Sequence, residues 1–142
     1  MPDLVDSTLE RLRSQLGASR VTLRQDIPGE QAFPVTHEAL APGVESLRGE
    51  RTIDLRTQPV AVEVAAGRQV VQDDSASAYD DPAYHRMREL YGGLAAQIVT
   101  PVLVAGRVSG IVSVHQLGTP RRWLPGEIET CSSTAEALAE LL

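Results

Sequence analysis

Hydrophobic and polar positions divide the chain into a terminal helix, short strands and helices, one long hairpin and a second terminal helix. Val5, Leu9, Leu12 and Leu16 recur at spacings of four, three and four, the stripe of an amphipathic helix that Gly17 ends as a C-cap. In Arg20-Val21-Thr22-Leu23-Arg24-Gln25, Val21 and Leu23 alternate with polar neighbours, as in a half-buried strand. Ile27 to Glu30 is a turn, and Gln31 to Val35 reads as a short second strand confined to an edge by Pro34. His37 to Thr57 has weak periodicity and reads as loop, with a helical turn around Val44 to Leu47. Pro59 to Ala66 forms a two-turn helix stopped by Gly67. Arg68 to Gln72 is a strand running into the polar Asp73-Asp74-Ser75, and Asp80 or Asp81 caps a helix from Pro82 that ends at Gly92-Gly93.

The clearest local signal follows. Ala95 to Val104 and Arg107 to Leu117 are β-branched runs joined by Ala105-Gly106, which predicts a hairpin. Leu124, Ile128, Cys131, Ala135, Leu138 and Leu142 then space a heptad-like stripe along a final helix. This order describes one α+β domain over residues 1–142 on an antiparallel sheet, with terminal helices at about 3–16 and 125–142.

Composition narrows the chemistry. With 42% apolar residues in 142, the chain can close one core and leave a cavity. The formal net charge of -6 repels nucleic acid and anionic lipid. All 13 basic residues are arginine, which removes lysine Schiff-base chemistry and a P-loop lysine. The single cysteine, Cys131, excludes an internal disulfide and a Cys-x-x-Cys pair, and points to a cytoplasmic setting. No stretch reads as a signal peptide or as a membrane span, which needs roughly 18 apolar residues.

The run Pro101-Val102-Leu103-Val104-Ala105-Gly106-Arg107-Val108-Ser109-Gly110-Ile111-Val112-Ser113-Val114-His115 resembles the signature of GAF domains: a proline opens a strand, a Gly-containing turn follows, and a second glycine lies in the next strand. Pro120-Arg121-Arg122-Trp123, then Glu127-Ile128, resembles the final-helix start of phytochrome-related and histidine-kinase GAF domains. The resemblance implies a six-stranded antiparallel sheet, terminal helices together on one face, and short helices and loops enclosing a pocket on the other. It also implies a non-catalytic sensory module, with a homodimer through the terminal helices or a signalling partner chain reading the ligand state. The bland alternative has both apolar stripes occupied within their own subunit.

Six residues form the expected ligand-binding set: His115, His85, Tyr84, Ser113, Asp73 and Tyr91. His115, Ser113 and Ile111 share one strand face, Val112 and Val114 the other. His115 either faces the ligand or is hydrogen-bonded near the strand end. His85 follows Tyr84 where bilin-binding relatives carry a Cys-His pair, so covalent bilin attachment is not expected and His85 is pocket-lining or simply exposed. Tyr84 and Tyr91 are seven apart on one helical face, core or pocket wall. Asp73 and Asp74 are paired carboxylates or, in the simpler reading, turn caps. His37, Glu38, His85 and His115 lack metal-ligand spacing, and nothing selects haem. A non-covalent small molecule of unassigned identity is the expected occupant. The alternatives are a small cysteine-independent enzyme with His85 or His115 as general base, and a purely structural dimerisation module with a filled pocket. The multi-cysteine chemistry of free methionine sulfoxide reductases does not fit one cysteine, and the Asn-Lys-Phe-Asp run of cyclic-nucleotide binders is missing.

Overall fold

The hairpin organises the molecule. In the computed structural model, which describes residues 3–29, 33–50 and 58–142, its strands are β4 (Leu94–Val104) and β5 (Arg107–Leu117). Ala105 and Gly106 both have positive φ, 53° and 79°, the mirror-image turn whose twist matches the flanking strands. Ala105 is the one non-glycine residue in that region among the described residues. Its Cβ crowds the following carbonyl, a cost of about 1–2 kcal/mol in left-handed conformation. Ala105→Asn is therefore expected to raise the unfolding free energy by about 1 kcal/mol, read as a higher urea midpoint at unchanged m.

The remaining strands are β1 (Arg20–Gln25), β2 (Val35–Leu40) and β3 (Val70–Gln72), paired antiparallel throughout in the order β2-β1-β5-β4-β3. The sheet has five strands among the described residues, not the six that the resemblance implied. The second strand lies after the proline rather than across it. Pro34 has no N–H to give a ladder, while Val35 to Leu40 pair with β1 and the Pro34 carbonyl accepts from Gln25 N–H. Residues 44–47 form no helical turn, and the Arg51 to Thr57 part of the expected loop lies outside the described residues, as do Glu30 to Ala32.

Helix α1 (Leu4–Leu16) starts where the Asp3 carboxylate accepts from Val5 N–H at 2.7 Å and stops at Gly17 in left-handed conformation. It buries Val5, Leu9, Leu12 and Leu16, the stripe the spacing predicts. Helix α4 (Pro125–Leu141) buries Cys131, Ala135 and Leu138; the ends of its expected stripe, Leu124 and Leu142, are exposed. Both helices lie on one face of the sheet over Val21, Leu23, Ala96, Ile98, Val112 and Val114. Both stripes are thus occupied within the subunit.

Helices α2 (Pro59–Ala65) and α3 (Pro82–Leu90) enclose a second core with the opposite face of the sheet, containing Val60, Val64, Tyr84, Met87, Tyr91, Val99 and Ile111. Because both faces are covered, β1 is not half-buried as its alternation predicts: Arg20, Thr22 and Arg24 are buried together with Val21 and Leu23. The two layers are fastened at Trp123, whose Nε1 donates to the Gln72 carbonyl at 3.0 Å and whose N–H donates to Asp73 Oδ1 at 3.1 Å. The Arg121 guanidinium lies 4.4 Å from the indole centroid and pairs with Glu127.

Candidate functional site

Strand register builds the site. Arg20 lies opposite His115, His115 opposite Gln97, and Gln97 opposite Gln72, a polar row across β1, β5, β4 and β3. One step along, Thr22, Ser113 and Val99 form the next row, and Arg24 faces Ile111. Gly110 lets β5 approach β1 closely there, since a Cβ on it would meet the Arg24 carbonyl oxygen at 3.0 Å. Above these rows Gln58, the N-cap of α2, and Val60, Ala61 and Val64 of α2, with Met87 of α3 and Tyr91 at its end, line a half-open cavity of about 50 Å³. At roughly 10–15 Å³ for one water-sized group, that space admits about three to five of them.

His115 is fully inside, and its Nδ1 accepts a hydrogen bond from Arg20 Nε at 3.1 Å. The proton of the neutral ring therefore sits on Nε2, which has no partner among the described residues. Burial first, then the nearby Arg20 and Arg24 charges, hold the imidazole well below its ordinary pKa. The ring stacks on Tyr91 at a centroid distance of 5.7 Å.

Arg20 and Arg24 are buried cations whose hydrogen bonds among the described residues go to neutral acceptors. Arg20 donates also to the carbonyls of Glu45 (3.1 Å) and Tyr91 (2.6 Å). Burial lowers its pKa to about 10, opposed by Glu38, so it stays protonated at neutral pH. Arg24 donates to the Phe33 carbonyl at 2.8 Å and to the Tyr91 hydroxyl at 2.9 Å. No carboxylate forms an ion pair with either among the described residues. Glu38, the acid that acts most on Arg20, is engaged by the Ser46 hydroxyl, Leu47 N–H and Arg48. Gln58, 3% exposed, has a buried Oε1 that no donor satisfies. Such an orphan acceptor in a native fold calls for an explanation.

Of the six residues expected from the sequence, the structure brings His115, Ser113 and Tyr91 together on the cavity wall. It places the other three elsewhere. The Tyr84 hydroxyl lies 3.0 Å from Gln72 Oε1 and 2.9 Å from the Ser75 carbonyl, and its ring meets Tyr79 edge-on, so Tyr84 is a core residue. His85 is half-buried on α3 and its Nδ1 lies 3.2 Å from Arg88 Nη1. Asp73 holds the Trp123 N–H, and Asp74 caps the 3-10 turn Ser75–Ser77. The sequence reading missed Arg20, Thr22, Arg24, Gln58 and Gln97. A signal existed for the first three: alternation puts Arg20, Thr22 and Arg24 on the face opposite Val21 and Leu23, as it puts Ser113 and His115 opposite Val112 and Val114.

The GAF domain family profile matches residues 1–142. The chain belongs to the GAF domain family. Among solved structures, the blue-light-absorbing form of the Thermosynechococcus elongatus PixJ GAF domain aligns at TM-score 0.74 and 22% identity, covering 96% of this chain and 86% of that one. The phycocyanobilin-bound GAF domain of a cyanobacterial phytochrome aligns at 0.76 and 19% identity, covering 96% and 82%. The chromophore-binding domain of the Stigmatella aurantiaca bacteriophytochrome aligns at 0.77 and 13% identity, covering 99% of this chain and 54% of that one. At these identities the likeness concerns the fold. No curated protein matches the chain. No helix among the described residues is long and apolar enough to cross a membrane.

Proposed function

We propose that this chain is a non-catalytic sensory GAF module whose cavity takes a small non-covalent ligand. One observation carries the reading: a pocket on the face of the sheet is lined by polar groups left unfilled among the described residues, above all the buried Gln58 Oε1, with the His115 Nε2–H beside it. A fold stabilised only by packing would gain by apolar residues there, because an unsatisfied buried polar group costs about 1–3 kcal/mol.

Binding is favoured over catalysis by the state of His115. Its one lone pair is occupied by Arg20, so the imidazole presents a donor to the cavity and cannot take a proton as general base. Covalent attachment of a pigment has no nucleophile at this place. Cys131 is on α4 in the other core, its thiol pushed up to about 12 by burial. The cavity volume likewise suits a molecule far smaller than a tetrapyrrole.

The output route is short. Ser113 and His115 alternate along β5 with Val112 and Val114, which pack beneath α1 and α4, so a shift of β5 on binding reaches the terminal helices through a single strand. A partner chain or second copy would read their outer faces, where Thr8, Arg11, Gln15, Glu129, Ser133 and Ala137 flank a groove of mixed polarity. A purely structural role draws on the full packing of Tyr84. Thermal-shift screening of nucleotides, tetrapyrroles, amino acids and organic acids, with sedimentation analysis, separates the two. A binder at 100 times its Kd adds about 2.7 kcal/mol to stability. No shift from any compound would favour the structural role.

A further inference from the structure

We propose that the ligand is a short hydroxy acid, its carboxylate held by Arg24 and the His115 Nε2–H and its hydroxyl donated to Gln58 Oε1. This rests on the cavity being a ligand site, as argued above, and specifies what it selects. Arg24 lines the cavity as a buried guanidinium bound to two neutral acceptors, and Arg20, two rows away and outside the lining, also donates to neutral acceptors. Two buried cations without an ion-paired carboxylate among the described residues make a positive interior within a chain of net charge -6. Buried charges are ordinarily paired, and an anion entering beside Arg24 would supply the missing partner.

Charge alone would admit any anion, and Gln58 narrows the choice. Its buried Oε1 accepts and has nothing to accept from. A carboxylate cannot satisfy it, whereas a hydroxyl on the same small molecule can. Arg20, by donating to Nδ1, keeps the His115 donor turned outward from the Arg20 side, and acts as a positioning residue. The apolar remainder of the wall, Val60, Val64, Val99 and Ile111, accommodates a short hydrocarbon. The volume of about 50 Å³ restricts the ligand to the smallest members of the class.

The experiment is calorimetric titration of the full chain with lactate and glycolate, against propionate (no hydroxyl), lactamide (no charge) and nitrate (an anion with neither). Lactate or glycolate is expected to bind at least tenfold more tightly than propionate, nitrate and lactamide. Arg24→Gln should weaken lactate and propionate alike, by tenfold or more. Gln58→Leu should abolish the preference for lactate while leaving propionate within about twofold. The Gln58 variant removes an unsatisfied group and keeps the test available should the Arg24 variant not fold. Equal affinity for lactamide, or an unchanged lactate preference in Gln58→Leu, would overturn the inference. Failure of all five probes would overturn it too. A neutral compound that binds the cavity in the broader screen would then leave the sensory reading standing without it.

Discussion

Replacing Trp123 by alanine is expected to remove about 3–5 kcal/mol of unfolding free energy, the range for deleting a buried large aromatic side chain. The indole is 4% exposed, belongs to the core beneath the terminal helices, and donates from Nε1 to the Gln72 carbonyl. Its loss opens a cavity, strands that carbonyl and frees Arg121 from the ring face. Against a typical total of about 5–15 kcal/mol this is a large share, equivalent to a fall in Tm on the order of 10 °C. Trp123→Phe keeps most of the packing and loses only the Nε1 bond, so it should cost about 1–2 kcal/mol. Urea unfolding followed by circular dichroism checks both, as lower midpoints at the same m. A Trp123→Ala cost below about 1 kcal/mol would contradict the role assigned to the indole.

The second large effect is a pH dependence. Burial, reinforced by Arg20 and Arg24, holds the His115 pKa well below 6.5 in the folded state, while the unfolded chain titrates near 6.5. Below pH 6.5 the unfolded state therefore binds the extra proton and the native state does not. Stability is fully present above the unfolded pKa and is lost as pH falls toward the folded one, at up to about 1.4 kcal/mol per pH unit. From pH 7.5 to 5 this amounts to at most about 2 kcal/mol, reached if native His115 takes up no proton in that window. His115→Gln can still accept from Arg20 and does not titrate, so its stability curve should be flatter by that amount over the same window. Denaturant midpoints at half-unit pH steps measure the difference, in which the remaining histidines cancel. Parallel curves would place His115 outside the buried, Arg20-bound state.

The legible part of the molecule was the part governed by period and turn chemistry. The hairpin strands, the α1 stripe and the Pro82 helix start lie within a residue or so of where spacing and capping place them. Local rules suffice there, because the apolar face of each element meets the sheet directly. Alternation failed on β1 for a tertiary reason. It labels Arg20, Thr22 and Arg24 as the polar face, and a polar face ordinarily meets water; here Tyr91 at the end of α3 and the segments at Phe33 and Glu45 meet its arginines instead. The same covering makes those arginines part of the site. Sequence spacing also grouped Tyr84 with Tyr91, but Tyr91 lies just past the end of α3. Tyr84 turns instead to Gln72 and Ser75, contacts made by β3 and the following turn that no spacing within one helix encodes. Gln58 carried no local signal at all, since its significance lies in a missing partner.

The account depends on the cavity between β5, α2 and α3 being the place where a ligand binds, and isoleucine and methionine methyl labels report on it directly. Ile111 and Met87 line the cavity, whereas Ile98 and Ile128 belong to the helix-side core. With a compound that raises Tm in the screen, intermolecular NOEs from the ligand should reach the Ile111 and Met87 methyls. NOEs confined to Ile98 or Ile128, or none to Ile111 and Met87 at saturation, would contradict the account.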